Sequence, residues 1–234
     1  MWVLPMQLST EFTPCELGGG VAMSNYYTHD RLEEKIKRDL HDRPTMPKPS
    51  VYVNHEMRRY LLRRKLSYSL ARENGWYGSR TVDGYDRIVI PCSNSFGVPY
   101  YQARAIDDWT SIRYNSPKAT REDSVVLVWP HKTQQPRGTI LVEGPTDALA
   151  AAMPGFLGIG LMGNEPPEEV INYIVRLVKD AYEPVIVIPD NDHQEMGVFM
   201  TGTLSSCGIK TTIRLPKGKD LAGMKLWERE LLVA

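Results

Sequence analysis

The sequence predicts an α/β protein: a mostly parallel four-stranded sheet flanked by helices, preceded by a smaller, basic part of mixed α+β structure. Three observations support this prediction. From Gly138 onward, short apolar segments alternate with segments of helical periodicity, which is the order typical of a parallel sheet. Residues 84–107 have the pattern of two strands around a turn. The two halves of the chain also carry opposite net charge.

The composition is typical of a soluble globular protein, with 42% hydrophobic and 24% charged residues. The net charge of zero hides an asymmetry, because residues 1–138 contain 20 Lys+Arg and 15 Asp+Glu, whereas residues 139–234 contain 8 and 13. This difference, +5 against −5, indicates a basic surface beside an acidic site, although ordinary scatter of charge is the alternative explanation.

The cysteines and the hydropathy pattern exclude several classes of protein. Cys15, Cys92 and Cys207 are far apart and form no CxxC pair, so we expect neither a disulfide framework nor a cysteine-rich zinc site. No apolar run approaches the ~20 residues that span a bilayer, and the first residues lack the basic region of a signal peptide. We therefore expect a cytoplasmic protein without a membrane partner.

The basic part of the chain follows an N-terminal arm. Residues 1–50 are predicted to form this arm, with a short helix over 30–40 and a proline-rich linker over 43–50. Residues 51–137 are predicted to form the basic subdomain. Its expected elements are a basic helix over 55–72, a hairpin of strands 87–90 and 99–106 joined by a turn at 93–97, and a strand over 124–129.

The acidic part is predicted to occupy residues 138–225, with a tail at 226–234. Its second helix is expected to begin at an Asn164 N-cap, because Pro166 and Pro167 follow in the first turn. The expected strands are 139–142, 156–160, 185–188 and 211–215, and the expected helices are 146–153, 165–181 and 195–207.

Carboxylates follow three of these four strands. Glu143 follows the first strand, Asp190 and Asp192 follow the third, and Asp220 follows the fourth. Because parallel strands end at one edge of a sheet, we expect these side chains to converge there, with Asp147 nearby. Asp190 and Asp192 are two residues apart, so in extended chain they point to the same side.

A set of converging carboxylates is the ligand type that Mg²⁺ or Mn²⁺ prefers. Such an ion relieves the repulsion between the acids and offsets charge on a phosphate substrate. The alternative is that these residues are helix N-caps, an explanation that applies most to Asp147. His193, beside Asp192, has the alternatives of a metal ligand or a proton shuttle, but a lone surface histidine more often has neither role, and none is assigned to it. The glycines of the GxGxxG pattern at 158–163 are assigned to a tight turn and not to dinucleotide binding.

The acidic blocks resemble a known family. LVEGPTDAL, IPDND and LPKGKD resemble the TOPRIM domain of bacterial-type primases, topoisomerases and some nucleases. The resemblance implies that Glu143, Asp190 and Asp192 are catalytic and bind Mg²⁺ or Mn²⁺, with Asp147 and Asp220 in support. It departs from the primase pattern at Asp220, which is followed by Leu221 and Ala222 where a second acid is usual. One metal ion is therefore expected, and a second is in question.

Upstream blocks narrow the resemblance to bacterial and phage-type DNA primases. YDRIVIPCSNSFGVPYYQARAID (85–107) and IRYNSPKAT (112–120) are similar to the segments that precede TOPRIM in primases, and residues 60–76 resemble the helical lead-in. The chain carries neither the Cys/His zinc-binding domain nor the helicase motif of larger primases. The residues that the resemblance assigns to binding nucleotide or DNA are Arg104, Arg113, Tyr114, Asn115, Lys118 and Lys219.

The resemblance implies a primase that adds ribonucleotides opposite a single-stranded DNA template. The partners expected from it are template DNA, ribonucleoside triphosphates and possibly a separate replicative helicase, in a phage-encoded system working in a bacterial host. Two alternatives remain open: a TOPRIM nuclease that uses the same acids for hydrolysis, and a catalytically reduced primase that only binds single-stranded DNA or a replication partner.

Overall fold

The computed structural model describes residues 44–94, 99–107, 109–117, 124–131, 135–163, 166–179 and 183–234. Four sequence predictions fall wholly or mostly outside these residues: the arm up to residue 43 with its helix over 30–40, the turn at 93–97, the N-cap at Asn164, and the binding residue Lys118.

Six helices and nine strands are present among the described residues. The helices are α1 (Val51–Arg63), α2 (Tyr68–Glu73), α3 (Pro145–Ala152), α4 (Glu168–Val178), α5 (Gln194–Ser206) and α6 (Leu226–Val233). The strands are β1 (Tyr77–Ser79), β2 (Arg87–Asn94), β3 (Pro99–Ala105), β4 (Tyr114–Asn115), β5 (Ser124–Val128), β6 (Thr139–Val142), β7 (Leu157–Gly160), β8 (Val185–Val187) and β9 (Thr211–Ile213).

The basic helix predicted over residues 55–72 is two helices in the structure. Ser50 caps α1, and the chain turns after this helix at Lys65, whose φ is 57°. Ser67 then caps α2 by accepting a hydrogen bond from the Leu70 N–H at 3.2 Å. The prediction of one continuous helix is wrong because a serine within the helical pattern begins a new helix.

One mixed sheet runs in the order β4-β3-β2-β5-β7-β6-β8-β9, with β1 paired to β2. Strands β1 to β4 pair antiparallel, and β2 with β3 forms the predicted hairpin. Strands β7, β6, β8 and β9 are parallel neighbours. The predicted parallel sheet is therefore confirmed only in part, because β5 pairs antiparallel with both β2 and β7 and makes it continuous with the antiparallel strands.

The strand order creates a switch point between β6 and β8. After β6 the chain passes through α3 to β7 on one side, whereas after β8 it passes through α5 to β9 on the other side. In open α/β sheets, ligands bind at the carboxyl ends of the strands that flank such a point. Glu143 directly follows β6, and Asp190 follows β8 after two further residues.

Helices cover both faces of the parallel strands. Along β6, Ile140 and Val142 belong to one hydrophobic cluster and Leu141 belongs to the other, as the alternation of a strand requires. The first cluster includes residues of α1, α2, α3 and α6, and the second includes residues of α4 and α5. No helix among the described residues is long and apolar enough to cross a membrane.

The glycines of the GxGxxG pattern are packing residues of a strand. A Cβ at Gly158 would lie 2.0 Å from the Ala148 carbonyl oxygen in α3, and a Cβ at Gly160 would lie 3.1 Å from the backbone of Gly144. Because Gly158 and Gly160 have no side chains, α3 lies directly on this face of β7. The tight turn expected from this pattern accounts for Gly163 and not for the first two glycines.

Two further helix boundaries differ from the prediction. Helix α4 begins at Glu168, after the extended backbone of Pro167, whereas the predicted helix begins at residue 165. The tail over residues 226–234 contains α6, whose first turn is closed by a hydrogen bond of 2.7 Å from the Lys225 N–H to the Glu228 carboxylate. This single side-chain cap satisfies the backbone N–H that precedes the first turn of a short segment of modest helical periodicity.

Candidate metal site and adjoining groove

Glu143 and Asp190 meet at the switch point of the sheet. The Asp190 N–H donates to Glu143 Oε1 at 3.0 Å, which holds the glutamate across the ends of β6 and β8. The Glu143 side chain is 11% exposed. Ligand atoms of Glu143, Asp190 and His193 all lie within 4.8 Å of one another. Two of the three predicted catalytic acids are therefore together, in the company of a histidine.

His193 is a site residue that the sequence analysis left without a role. Its Nδ1 lies 3.0 Å from Glu143 Oε2 and 3.9 Å from Asp192 Oδ1. The hydrogen bond to Glu143 raises the pKa of His193 above its ordinary value, so the protonated form is favoured. In the sequence its only signal was the position directly after the Asp-x-Asp motif.

Asp192 lies at the exposed edge of the same site. Its Oδ2 accepts a hydrogen bond from Lys219 Nζ at 3.1 Å, and its side chain is 53% exposed. The hydrogen bond to Lys219 lowers the pKa of Asp192. Asp192 is not among the three residues whose ligand atoms cluster. The predicted role of Asp192 in catalysis and metal binding therefore stays a prediction. The contact with Asp192 also places Lys219, a predicted binding residue, beside the acids of the site.

Asp147 and Asp220 are the inner acids of the site, because both are less exposed to solvent than Asp192. Asp147 is 7% exposed and accepts a hydrogen bond from the Ala222 N–H at 2.7 Å. Asp220 accepts from the Gly223 N–H at 2.7 Å and lies 3.7 Å from Arg64 Nη2. We refer to the five carboxylates as the acidic rim: Glu143, Asp147, Asp190, Asp192 and Asp220.

The acids of the rim affect one another's protonation. Burial raises the pKa of Asp190 to about 7, and the charges of Asp147, Glu143 and Asp220 add to the shift. Burial and the charge of Asp220 raise the pKa of Asp147 to about 6. The rim therefore holds more negative charge than its protein neighbours neutralise, which is the electrostatic condition for binding a cation.

The residues present fit a divalent metal ion. Glu143 and Asp190 offer carboxylate oxygens at ligand spacing, and oxygen ligands suit Mg²⁺ and Mn²⁺. The shifted pKa values of Asp190 and Asp147 indicate unneutralised charge at the same place.

A groove with a volume of about 1060 Å³ adjoins the acidic rim. We refer to it as the arginine groove, because four arginines line it. It reaches the rim through Arg64, whose guanidinium is 3.7 Å from Asp220. The lining residues are Tyr60, Arg63, Arg64, Arg104, Ala105, Ile106, Asp107, Trp109, Thr110, Ser111 and Arg113.

The predicted binding residues lie in different surroundings. Arg104 is 4% exposed and donates to the hydroxyls of Tyr60 and Tyr114, so its guanidinium is already engaged. Arg113 is exposed in the groove and lies near enough to Lys219 to affect its pKa. Asn115 donates to Asp83 at 3.0 Å, a contact that secures β4. Their roles in binding stay predictions.

Comparisons with known proteins give a related fold. No family model matches the chain, and no curated protein sequence matches it. The structure is similar to that of the primase fragment of the bacteriophage T7 primase-helicase protein. The TM-score is 0.55 at 16% identity, over 74% of this chain and 70% of that chain.

A second similar chain comes from the structure of bacteriophage T7 lagging-strand DNA polymerase interacting with primase domains of two gp4 subunits bound to an RNA/DNA hybrid and dTTP. It gives a TM-score of 0.49 at 17% identity, over 74% of this chain and 87% of that chain. The likeness to the T7 primase fragment shows that the present chain has a fold of the phage-primase kind.

Proposed function

We propose that this chain is a primase-type nucleotidyltransferase that synthesises short RNA primers on single-stranded DNA. The observation that supports this proposal best is the contact between two charged surfaces. The Glu143–Asp190 pair lies at the switch point of the sheet, and the arginine groove reaches the same rim through the Arg64–Asp220 pair. A polymerase needs both an anionic metal site and a cationic path for template and nucleotide.

In this proposal Mg²⁺ or Mn²⁺ is held by Glu143 and Asp190, with Asp192 at the exposed side. When bound, the ion neutralises the triphosphate and favours ionisation of the attacking hydroxyl. The inner acids, Asp147 and Asp220, keep the local potential negative. We propose one ion, since the inner acids are already hydrogen bonded to backbone N–H groups.

The cationic residues have separate roles in the same proposal. Arg64 and Arg113, which line the arginine groove, attract the phosphates of the template and of the incoming nucleotide. Lys219, with its side chain 68% exposed beside Asp192, binds the outer phosphates of the triphosphate. Arg104 keeps Tyr60 and Tyr114 in place under the groove. A separate replicative helicase is the expected protein partner, in a phage-encoded system.

The test is primer synthesis on a panel of single-stranded DNA templates with ribonucleoside triphosphates and Mg²⁺ or Mn²⁺. Wild type is compared with Asp190→Asn and with the control Glu195→Gln, which removes an exposed carboxylate of α5 outside the rim. We expect oligoribonucleotide products that Asp190→Asn abolishes and the control retains. Products that survive Asp190→Asn would contradict the proposed site.

The same experiment separates the alternative functions. Labelled template that becomes shorter in a metal-dependent way indicates a nuclease that uses the same acids. Template that is bound but neither extended nor shortened, with or without metal, indicates a protein that only binds single-stranded DNA. In that last case Glu143→Gln would leave template affinity unchanged, because no metal would take part in binding.

A further inference from the structure

A large aromatic side chain is exposed at the outer wall of the arginine groove. Trp109 is 72% exposed, and the neighbouring Ile112 and Tyr85 are 55% and 43% exposed. Burying an indole removes a large apolar surface from water, so an exposed tryptophan beside other apolar side chains is typical of a contact site. Trp109 lines both the groove and a smaller cavity of about 180 Å³ next to Tyr85.

The loop that carries Trp109 is anchored on both sides of the residue. The Ala105 N–H at the end of β3 donates to the Arg113 carbonyl at 2.9 Å, and the buried Arg87 guanidinium donates to the Ile112 carbonyl at 3.1 Å. The Tyr85 ring meets the indole in a T-shaped contact, with centroids 5.6 Å apart and planes at 69°. The indole is therefore presented in a defined position while most of its surface faces solvent.

The charge of the groove selects the kind of ligand. Arg63 and Arg113 are exposed in the groove and Arg64 is half-buried there, while Asp107 is the one acid among the described residues that line it. A ligand that suits this surface combines a chain of negative charges with flat aromatic faces. Single-stranded nucleic acid has both properties, because every unpaired base has a face that stacks on an aromatic side chain.

We propose that Trp109, supported by Tyr85, is a stacking platform for a base of single-stranded DNA whose phosphates lie along Arg63, Arg64 and Arg113. This inference rests on the proposed function for the identity of the nucleic acid and extends it to a residue outside the predicted binding set. A strand held in this way reaches the acidic rim, because Arg64 belongs both to the groove and to the pair with Asp220.

The test is equilibrium binding of a fluorescently labelled oligothymidylate, measured by anisotropy without metal and without nucleotides. Trp109→Ala should weaken binding roughly 5- to 150-fold, the effect of losing one stacked base. Trp109→Phe should restore most of the affinity, and Trp109→Leu should not. Trp227→Ala removes a tryptophan that is 52% exposed on α6 and should leave binding unchanged.

Two further ligands separate stacking from charge. For an oligonucleotide of the same length with abasic sites, wild type and Trp109→Ala should have the same affinity. The two proteins should also have the same affinity for duplex DNA, because its bases are not free to stack. Arg113→Ala should weaken the intact and the abasic strand alike. It should also reduce the slope of log K against log salt by about 0.7, the value for one phosphate contact on a single strand.

Three results would overturn the inference: unchanged affinity of Trp109→Ala for oligothymidylate, an equal loss on the abasic strand, or an equally Trp109-dependent affinity for an acidic peptide. Thermal melting shows whether each variant is folded. Failure of the proposed function is a separate outcome. If no primer is synthesised but binding depends on Trp109, the stacking platform is supported and the primase function is contradicted. With primer synthesis but Trp109-independent binding, only the platform fails.

Discussion

Asp190→Asn should stabilise the metal-free protein at neutral and higher pH. Asp190 is the half-buried acid whose pKa is raised to about 7 by burial and by the charges of Asp147, Glu143 and Asp220. The folded protein therefore resists ionisation of this side chain. Asparagine has a similar shape and no charge, so it removes this unfavourable interaction. A residue that binds metal is in this way expected to oppose folding when the metal is absent.

The size of the effect follows from the shift. Moving the pKa of Asp190 from 3.8 to about 7 is about three pKa units, or about 4 kcal/mol at about 1.4 kcal/mol per unit. Asp190 is only partly buried, and solvent screening reduces this upper value to about 1–2 kcal/mol. Because the folded-state pKa is the higher one, wild-type stability falls as the pH rises from about 4 to about 7. The advantage of Asp190→Asn should therefore appear over that interval and level off above it.

The assay is urea denaturation in the presence of a chelator at several pH values between about 4 and 8.5. Asp192→Asn is the matched control, because this acid is exposed and Lys219 lowers its pKa. That variant should give no gain in stability at any pH. Adding Mg²⁺ or Mn²⁺ should reverse the order of wild type and Asp190→Asn. An ion at a hundred times its dissociation constant stabilises the protein that binds it by about 2.7 kcal/mol, which exceeds the advantage of Asp190→Asn.

Two outcomes would refute this reasoning. Equal effects of Asp190→Asn and Asp192→Asn would show that Asp190 carries no special electrostatic cost. A gain for Asp190→Asn that is the same at pH 4.5 and pH 8 would show that the gain does not come from the charge. In either case the argument for a cation at Asp190 would lose its main support.

Three further predictions concern the free energy of unfolding, measured by urea denaturation near neutral pH. Asp147→Ala should be about 1–3 kcal/mol less stable than Asp147→Asn, because both variants remove the buried charge but only alanine leaves the Ala222 N–H without an acceptor; equal stability of the two variants would contradict this. Gly158→Ala should cost about 1–3 kcal/mol or more because its Cβ meets a carbonyl oxygen at 2.0 Å, whereas Gly202→Ala, with open space, should be neutral or stabilising. Arg229→Met should cost about 2–4 kcal/mol because it leaves the buried backbone carbonyls of Leu221 and Ala222 without their donor; the exposed Arg59→Met should change stability by less than about 0.5 kcal/mol.

The parallel strands were predictable because a buried strand has a simple signature. Segments such as Thr139–Val142 are short, apolar and bounded by charged or glycine residues, and the structure has β6 at those bounds. The acids follow from the same signature, since the ends of parallel strands share an edge. Glu143 and Asp190 converge there, which confirms the expectation of a shared edge and leaves their catalytic role a prediction.

Long-range pairing was not predictable in the same way. The sequence does not indicate that β5 joins the two parts of the sheet, because an apolar strand of five residues can pair on either edge. The assignment of Arg104 to binding stays a prediction, and its hydrogen bonds to Tyr60 and Tyr114 could not be read from the sequence. His193 was set aside because a lone histidine next to an acid has no periodic pattern. Its contact with Glu143 spans 50 positions of the chain and depends on the fold.

The charge pairs around the acidic rim indicate where a cation is missing. Three of the five acids have a cationic partner within 4 Å among the described residues: Glu143 has His193, Asp192 has Lys219, and Asp220 has Arg64. For Asp190 and Asp147 the described residues provide no such pair, and these are the two acids whose pKa values are strongly raised. Burial is the main cause of both shifts, so a cation beside Asp190 would favour the ionised form of that carboxyl. An ion held by Glu143 and Asp190 leaves the Arg64–Asp220 pair intact, whereas a second ion at Asp220 would have to compete with Arg64.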